Sequence, residues 1–148
     1  QYQDLITKEA NRVNEKFGTK EWKPIILETT QYSPRNLSAL FKIAHFCLIT
    51  SLHDSMNLVA KEYVAKRSDL LGVLILSKFA GASRHLKDAL IINPHNTEEI
   101  GIAIYNALTM SQSEQRHRMN AMRTSIKDYN VYRWAANIIT ELTALKKI

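Results

Sequence analysis

Two carboxylates, Asp54 and Glu62, stand eight positions apart around a short polar turn. The apolar run Phe46-Cys47-Leu48-Ile49-Thr50 ends just before that turn, and a helical pattern from Leu58 to about Lys66 starts inside it. Where a strand's C-terminal end passes into a helix N-terminus, unpaired N–H groups and the helix dipole favour an anion, phosphate above all. The chemistry on offer is a phosphorylated ligand held by backbone, with carboxylates left to accept from hydroxyls. Plainer roles stay open for each residue. Asp54 is either a turn or capping residue or a hydroxyl ligand at the mouth of a cleft. Glu62, in the second helical turn, has a solvated acid as its default, and Asn57 suits an N-cap whose neighbouring amides face a ligand. Met56 and Phe79 are of types that more often pack than bind.

Other chemistries find little support. Histidines 45, 53, 85, 95 and 117 have no metal-ligand spacing, and no Walker or dinucleotide fingerprint occurs among the four glycines. No metal and no resident cofactor is expected. The single cysteine, Cys47, excludes an internal disulfide or a cysteine zinc cluster and reads as a buried strand thiol in a reducing compartment. No apolar run approaches the roughly 20 residues that span a bilayer, and no signal peptide is visible, so a cytoplasmic chain without a membrane partner is expected. The sequence does not begin with Met and starts within a helical pattern, which suggests a piece of a longer protein. The net charge of +6 gathers at Arg116, Arg118, Arg123, Lys127, Arg133, Lys146 and Lys147. These alternate with Glu114, Asp128 and Glu141, the pattern of a solvated helical face and not of a nucleic-acid surface.

The elements that must position the turn follow from periodicity. Leu5, Ile6, Val13 and Phe17 predict a helix ending at Gly18. Pro24-Ile25-Ile26-Leu27-Glu28 has strand length. Ser33-Pro34 predicts a helix start, with helix to about Ala44. Residues 46–50, 72–77 and 89–93 predict further strands, of which 72–77 is apolar on both faces, as a covered parallel strand must be. A short helix is expected near Ala82–Lys87, a helix capped by Thr97 after it, another from the capping-box sequence Ser111-Gln112-Ser113-Glu114, and a last one from about Val131. Strand–helix alternation four times over predicts an α/β fold, a parallel sheet flanked by helices that ends in two or three consecutive helices. With 148 residues, the composition suits one domain over 1–148, with 111–148 as C-terminal helices.

The run Asp54-Ser55-Met56-Asn57-Leu58-Val59-Ala60-Lys61-Glu62 closely resembles the Asp-Gly-Met-Asn-Leu-Val-Ala-Lys-Glu signature of trehalose-6-phosphate synthases. Gly72-Val73-Leu74-Ile75-Leu76-Ser77-Lys78-Phe79-Ala80-Gly81-Ala82, Leu90-Ile91-Ile92-Asn93-Pro94, Phe17-Gly18-Thr19, Trp22-Lys23-Pro24-Ile25, Ala107-Leu108-Thr109-Met110 and Arg133-Trp134 are similar to that family too. The resemblance implies a retaining glycosyltransferase of the GT-B type, with this chain as part of its C-terminal, Rossmann-like, nucleotide-sugar-binding domain. The donor would be UDP-glucose or a close relative and the acceptor glucose 6-phosphate, bound by an N-terminal domain absent here. It further implies that Asp54 and the backbone of Met56 and Asn57 meet the donor glucose. Amides of Leu58 and Val59 would meet the diphosphate, Glu62 the ribose, and the backbone of Leu37 the base. The isolated chain is expected to be inactive, and its exposed apolar surface to favour a homo-oligomer. Ser55 departs from the family's glycine, where a different φ is expected, and His53 from a frequent arginine. A relative with another acceptor, such as a glucosylglycerol-phosphate synthase, and a non-catalytic interaction module are the alternatives.

Overall fold

The computed structural model describes residues 2–145. Residues up to Ser33 form one compact unit and residues from Pro34 a second. In the first, helix α1 (Tyr2–Phe17) is closed by the Gly18 amide, which donates to Asn14 O at 2.8 Å. The strand expected at 24–28 is absent. A strand needs a ladder, and no described strand pairs with this run. Instead the Asn14 side chain takes the place of one, accepting from Ile25 N at 2.8 Å and donating to Ile25 O at 2.9 Å. Ile26 is left 78% exposed.

The second unit holds α2 (Pro34–Ile43), β1 (Phe46–Ile49), α3 (Leu58–Lys66), β2 (Val73–Ser77), β3 (Leu90–Ile92), α4 (Thr97–Thr109), α5 (Gln112–Asp128) and α6 (Val131–Leu145). The strands are parallel in the order β1-β2-β3, with Phe46 opposite Val73 and Ile75 opposite Leu90. Three strands thus stand where four alternations were expected. Period-two alternation divides β2 between two cores. Leu74 and Leu76 face a cluster with Phe41 of α2, Ala60, Tyr63 and Val64 of α3, and Met119 and Met122 of α5. Val73 and Ile75 face a second cluster with Ala103 and Ala107 of α4. All five residues of β2 are buried, as strands covered on both sides must be. The expected helix at 82–87 is one turn of 3-10 helix, Gly81–Arg84.

Helix caps explain several boundaries. Asn57 caps α3, and Ser111 caps α5 by accepting from Glu114 N at 3.2 Å. The cap of α4 is Asn96, not Thr97. Its Oδ1 accepts from Glu98 N and Glu99 N at 3.1 and 3.2 Å, while Thr97 is already the first helical residue. None of the described helices is long and apolar enough to cross a membrane.

The arginines of α5 are anchors, not only a solvated face. Arg123 Nη1 donates to Val64 O and Ala65 O at 2.9 and 2.7 Å, Arg116 to Asp69 O at 3.0 Å, and Arg118 to Asp88 O at 3.1 Å. They satisfy carbonyls left open at the ends of α3 and of the loops. Lys146 and Lys147 lie outside the described residues. Below α5, Arg67 is only 5% exposed. Its Nη1 donates to Phe41 O, Lys42 O and Ala44 O at 2.8–2.9 Å, and its Nε to Leu71 O at 2.7 Å.

Cys47, on β1, is half-buried, and burial pushes its thiol up to about 11. Tyr63 is fully buried and its hydroxyl has no partner among the described residues. Burial raises its pKa from 10.0 to about 12, an effect the Arg67 charge partly opposes. The unfolded chain therefore releases this proton from about pH 10 while the folded chain holds it to about pH 12. This contribution is full below pH 10 and lost as pH rises through 12. Tyr63→Phe is expected to stabilise by about 1 kcal/mol at neutral pH by removing an unpaired buried hydroxyl. Its advantage should grow above pH 10. Urea unfolding across pH 7–12 measures this, and an advantage flat over that range would refute it.

Candidate functional site

Parallel pairing sends the chain out of β1 and β2 at the same edge of the sheet, so the loops after Ile49 and after Ser77 meet. They join as a short extra rung in which Asp54 pairs with Ala80. Asp54 N donates to Phe79 O at 3.3 Å, and Gly81 N donates to Asp54 O at 3.0 Å. Ser77, fully buried, accepts from Phe79 N through Oγ at 3.1 Å and turns the second loop.

Asp54 and Asn57 form a linked pair. Asp54 Oδ2 accepts from Asn57 Nδ2 at 2.8 Å and Oδ1 from Asn57 N at 3.3 Å. Asn57 Oδ1 in turn accepts from Ala60 N at 2.9 Å, at a backbone φ of +56°, the left-handed region that asparagine tolerates better than most residues. The amides of Leu58 and Val59, at the positive end of α3, have no acceptor among the described residues. Here the two readings of Asp54 converge. It is a turn residue that holds the cap Asn57, and it also keeps lone pairs for a ligand, since a carboxylate accepts about four hydrogen bonds. Ser55 is exposed and is not among the described residues with positive φ, so the position asks for no glycine.

A cleft of about 980 Å³ opens against these loops. His53, Asp54, Ser55 and Met56 line one side, Leu58 and Lys61 of α3 the next, and Lys78 to Ala82 the next. Tyr129 and Trp134, around the α5–α6 junction, close it. The rings of His85 and Tyr129 lie 4.5 Å apart, and the Arg133 guanidinium sits 4.4 Å from the Tyr129 centroid. Among the described residues lining the cleft, Asp54 is the one carboxylate, while Lys61, Lys78 and Arg84 bring positive charge.

Of the residues singled out in the sequence, Asp54, Met56 and Leu58 line the cleft, with Asn57 buried beneath as the cap. Val59, Glu62 and Leu37 do not line it. At about 100° per residue, Glu62 falls roughly 40° from Leu58 around α3, on the side away from Lys61. It is an exposed carboxylate on the adjoining face, next to Val59. The Leu37 side chain packs against the core, which leaves only its backbone for a ligand. Phe79, expected to pack, is 41% exposed in the cleft. Lys78, Phe79, Tyr129 and Trp134 also line the cleft, beyond the residues expected from the sequence. The strand-end rule that drew attention to the turn after β1 applies equally after β2 and would have found the first two. No group of three His, Cys, Asp or Glu among the described residues is placed to hold a metal ion.

The family model for Glycosyltransferase family 20 matches residues 1–144. The chain is 43% identical over 141 residues to the bifunctional trehalose-6-phosphate synthase/phosphatase of Thermoproteus tenax, covering 95% of the chain and 19% of that protein. It is 40% identical over 142 residues to the glucosylglycerol-phosphate synthase of Synechocystis sp., covering 96% and 28%. A solved structure described as trehalose-6-phosphate from E. coli bound with UDP-2-fluoro glucose superposes with a TM-score of 0.88 at 39% identity, covering 95% and 32%. The chain thus spans between a fifth and a third of the length of these relatives.

Proposed function

Because the chain belongs to glycosyltransferase family 20, we propose that it is the donor-binding part of a retaining glucosyltransferase that takes UDP-glucose and passes glucose to glucose 6-phosphate. The observation that carries this is the pair of unclaimed amides, Leu58 and Val59, at the N-terminus of α3, with the Asp54 carboxylate one turn of chain away. A diphosphate on those amides needs no metal. Its glucose would then lie against Asp54 and Met56, and its ribose against Glu62 on the adjoining face of α3. The base would lie along the backbone at Leu37, on the helix packed beside α3.

As the bond to glucose breaks, charge grows on the leaving diphosphate. Fixed N–H groups stabilise it there without having to reorganise. Lys61, Lys78 and Arg84 at the cleft add attraction that salt would screen. The solved relative holding UDP-2-fluoro glucose supports this donor class. The acceptor site is assigned to the length of the relatives outside this chain, which is where a trehalose-phosphate and a glucosylglycerol-phosphate synthase would differ.

Titrating the chain with UDP and with UDP-glucose under amide NMR tests the reading. Shifts at Leu58 and Val59 are expected with both ligands, and Glu62→Gln is expected to weaken both about equally. A chain unresponsive to either nucleotide at millimolar concentration would overturn the donor assignment.

A further inference from the structure

We propose that Gly81 is a positioning residue for the donor sugar, acting through a backbone clamp that fixes Asp54. The inference rests on the assignment of Asp54 to the donor glucose and deepens it.

The clamp is visible in the backbone alone. Asp54 is held on both sides by the loop after β2: its N–H donates to Phe79 O at 3.3 Å and its carbonyl accepts from Gly81 N at 3.0 Å. The two loops come so close that a Cβ on Gly81 would overlap the Ser55 carbonyl oxygen and lie 2.9 Å from its carbon. Backbone atoms cannot swing aside as a side-chain end can, so the turn at 54–56 must move if that space is filled. Gly81 is not among the described residues with positive φ, so the requirement is for room, not for a left-handed conformation. Conformational freedom of glycine is beside the point here.

The consequence is directional. The amides of Leu58 and Val59 belong to α3, whose buried residues Ala60, Tyr63 and Val64 share a core with Phe41 of α2, Leu74 and Leu76 of β2 and Met119 and Met122 of α5, as well as with Ala80 and Ala82 of this loop. Most of those partners lie outside the loop, so a shift of the 54–56 turn moves the carboxylate proposed for glucose more than the proposed diphosphate amides. Misplacement of a site group by about 1 Å can cost on the order of a hundredfold in rate.

Gly101 supplies the matched control, since an added methyl there meets nothing within 4 Å. Affinities for UDP and UDP-glucose are to be measured by calorimetry for the 148-residue chain and for Gly81→Ala, Gly101→Ala and Asp54→Asn. Gly81→Ala is expected to weaken UDP-glucose binding about tenfold or more while changing UDP binding less than twofold, and Gly101→Ala to change neither. A Gly81→Ala chain that keeps the UDP-glucose to UDP ratio, while Asp54→Asn loses it, overturns the clamp and spares the donor assignment. If Asp54→Asn also keeps the ratio, the donor assignment of Asp54 falls first, and the clamp with it. Should Gly81→Ala fail to fold, hydrogen exchange in the unmodified chain decides. The Asp54 and Gly81 amides are expected to exchange together and to slow further with UDP-glucose than with UDP, and independent exchange with no ligand effect would overturn the proposal.

Discussion

Asp54→Asn is expected to remove most of the affinity that UDP-glucose gains over UDP, on the order of tenfold, while leaving UDP itself bound. The carboxylate has two oxygens, each already accepting one bond from Asn57. Two further acceptor positions remain, enough for a pair of sugar hydroxyls, and hydrogen bonds to a charged acceptor contribute about 1.5–3 kcal/mol. An asparagine at this position keeps the size but exchanges one acceptor for an NH2 donor. That donor would face either the Asn57 amide or the sugar hydroxyls, and it satisfies neither as the carboxylate does. The diphosphate contacts proposed for Leu58 and Val59 are backbone and survive the change. Calorimetric titration with both ligands separates the two effects, because loss of the Asn57 cap at the start of α3 would weaken UDP as well. Equal losses for UDP and UDP-glucose would argue that Asp54 only supports the Asn57 cap.

Arg67→Met is expected to destabilise the fold by about 3–5 kcal/mol, since several buried carbonyls lose their donor at about 1–3 kcal/mol each. The cost comes from the oxygens left behind. Phe41 O, Lys42 O and Ala44 O are the open carbonyls at the C-terminal end of α2, and Arg67 Nη1 reaches all three. Nε holds Leu71 O, and the guanidinium pairs with Asp69 at 3.1 Å, which adds little because Asp69 is half exposed. One planar fork thus joins the end of α2 to the entry of β2. Arg67→Lys should recover little, since a single ammonium cannot reach these points together. Denaturant unfolding measures both variants, and a loss below about 1 kcal/mol would mean that water replaces the guanidinium readily. Gly72 depends on the same packing. It has φ of +89°, and a side chain there would run into the Tyr63 hydroxyl and come within 3.1 Å of Arg67 Cζ.

The parts of this structure legible in the sequence are those decided by near neighbours. The all-apolar β2, the Pro34 start of α2 and the Asn57 cap of α3 each follow from a few adjacent residues. The run at 24–28 shows the limit. Its composition is that of a strand, but strand formation depends on a pairing partner that composition does not reveal. The role of Arg67 is not legible in the sequence because the carbonyls of α2 that it binds lie more than twenty residues away. The far wall of the cleft was missed for a similar reason: Tyr129 and Trp134 meet His53 and Phe79 only through the docking of α5. The candidate site was found at the loop after β1 because strand end, cap and carboxylate all fall within a dozen residues.

The spatial order of the strands is also the order of synthesis. Among the described strands, β2 and β3 can each add to an edge already formed. Helix α5 follows all three strands, and its arginines seal carbonyls of segments that emerged earlier. These segments can therefore dock in the order in which they emerge during translation.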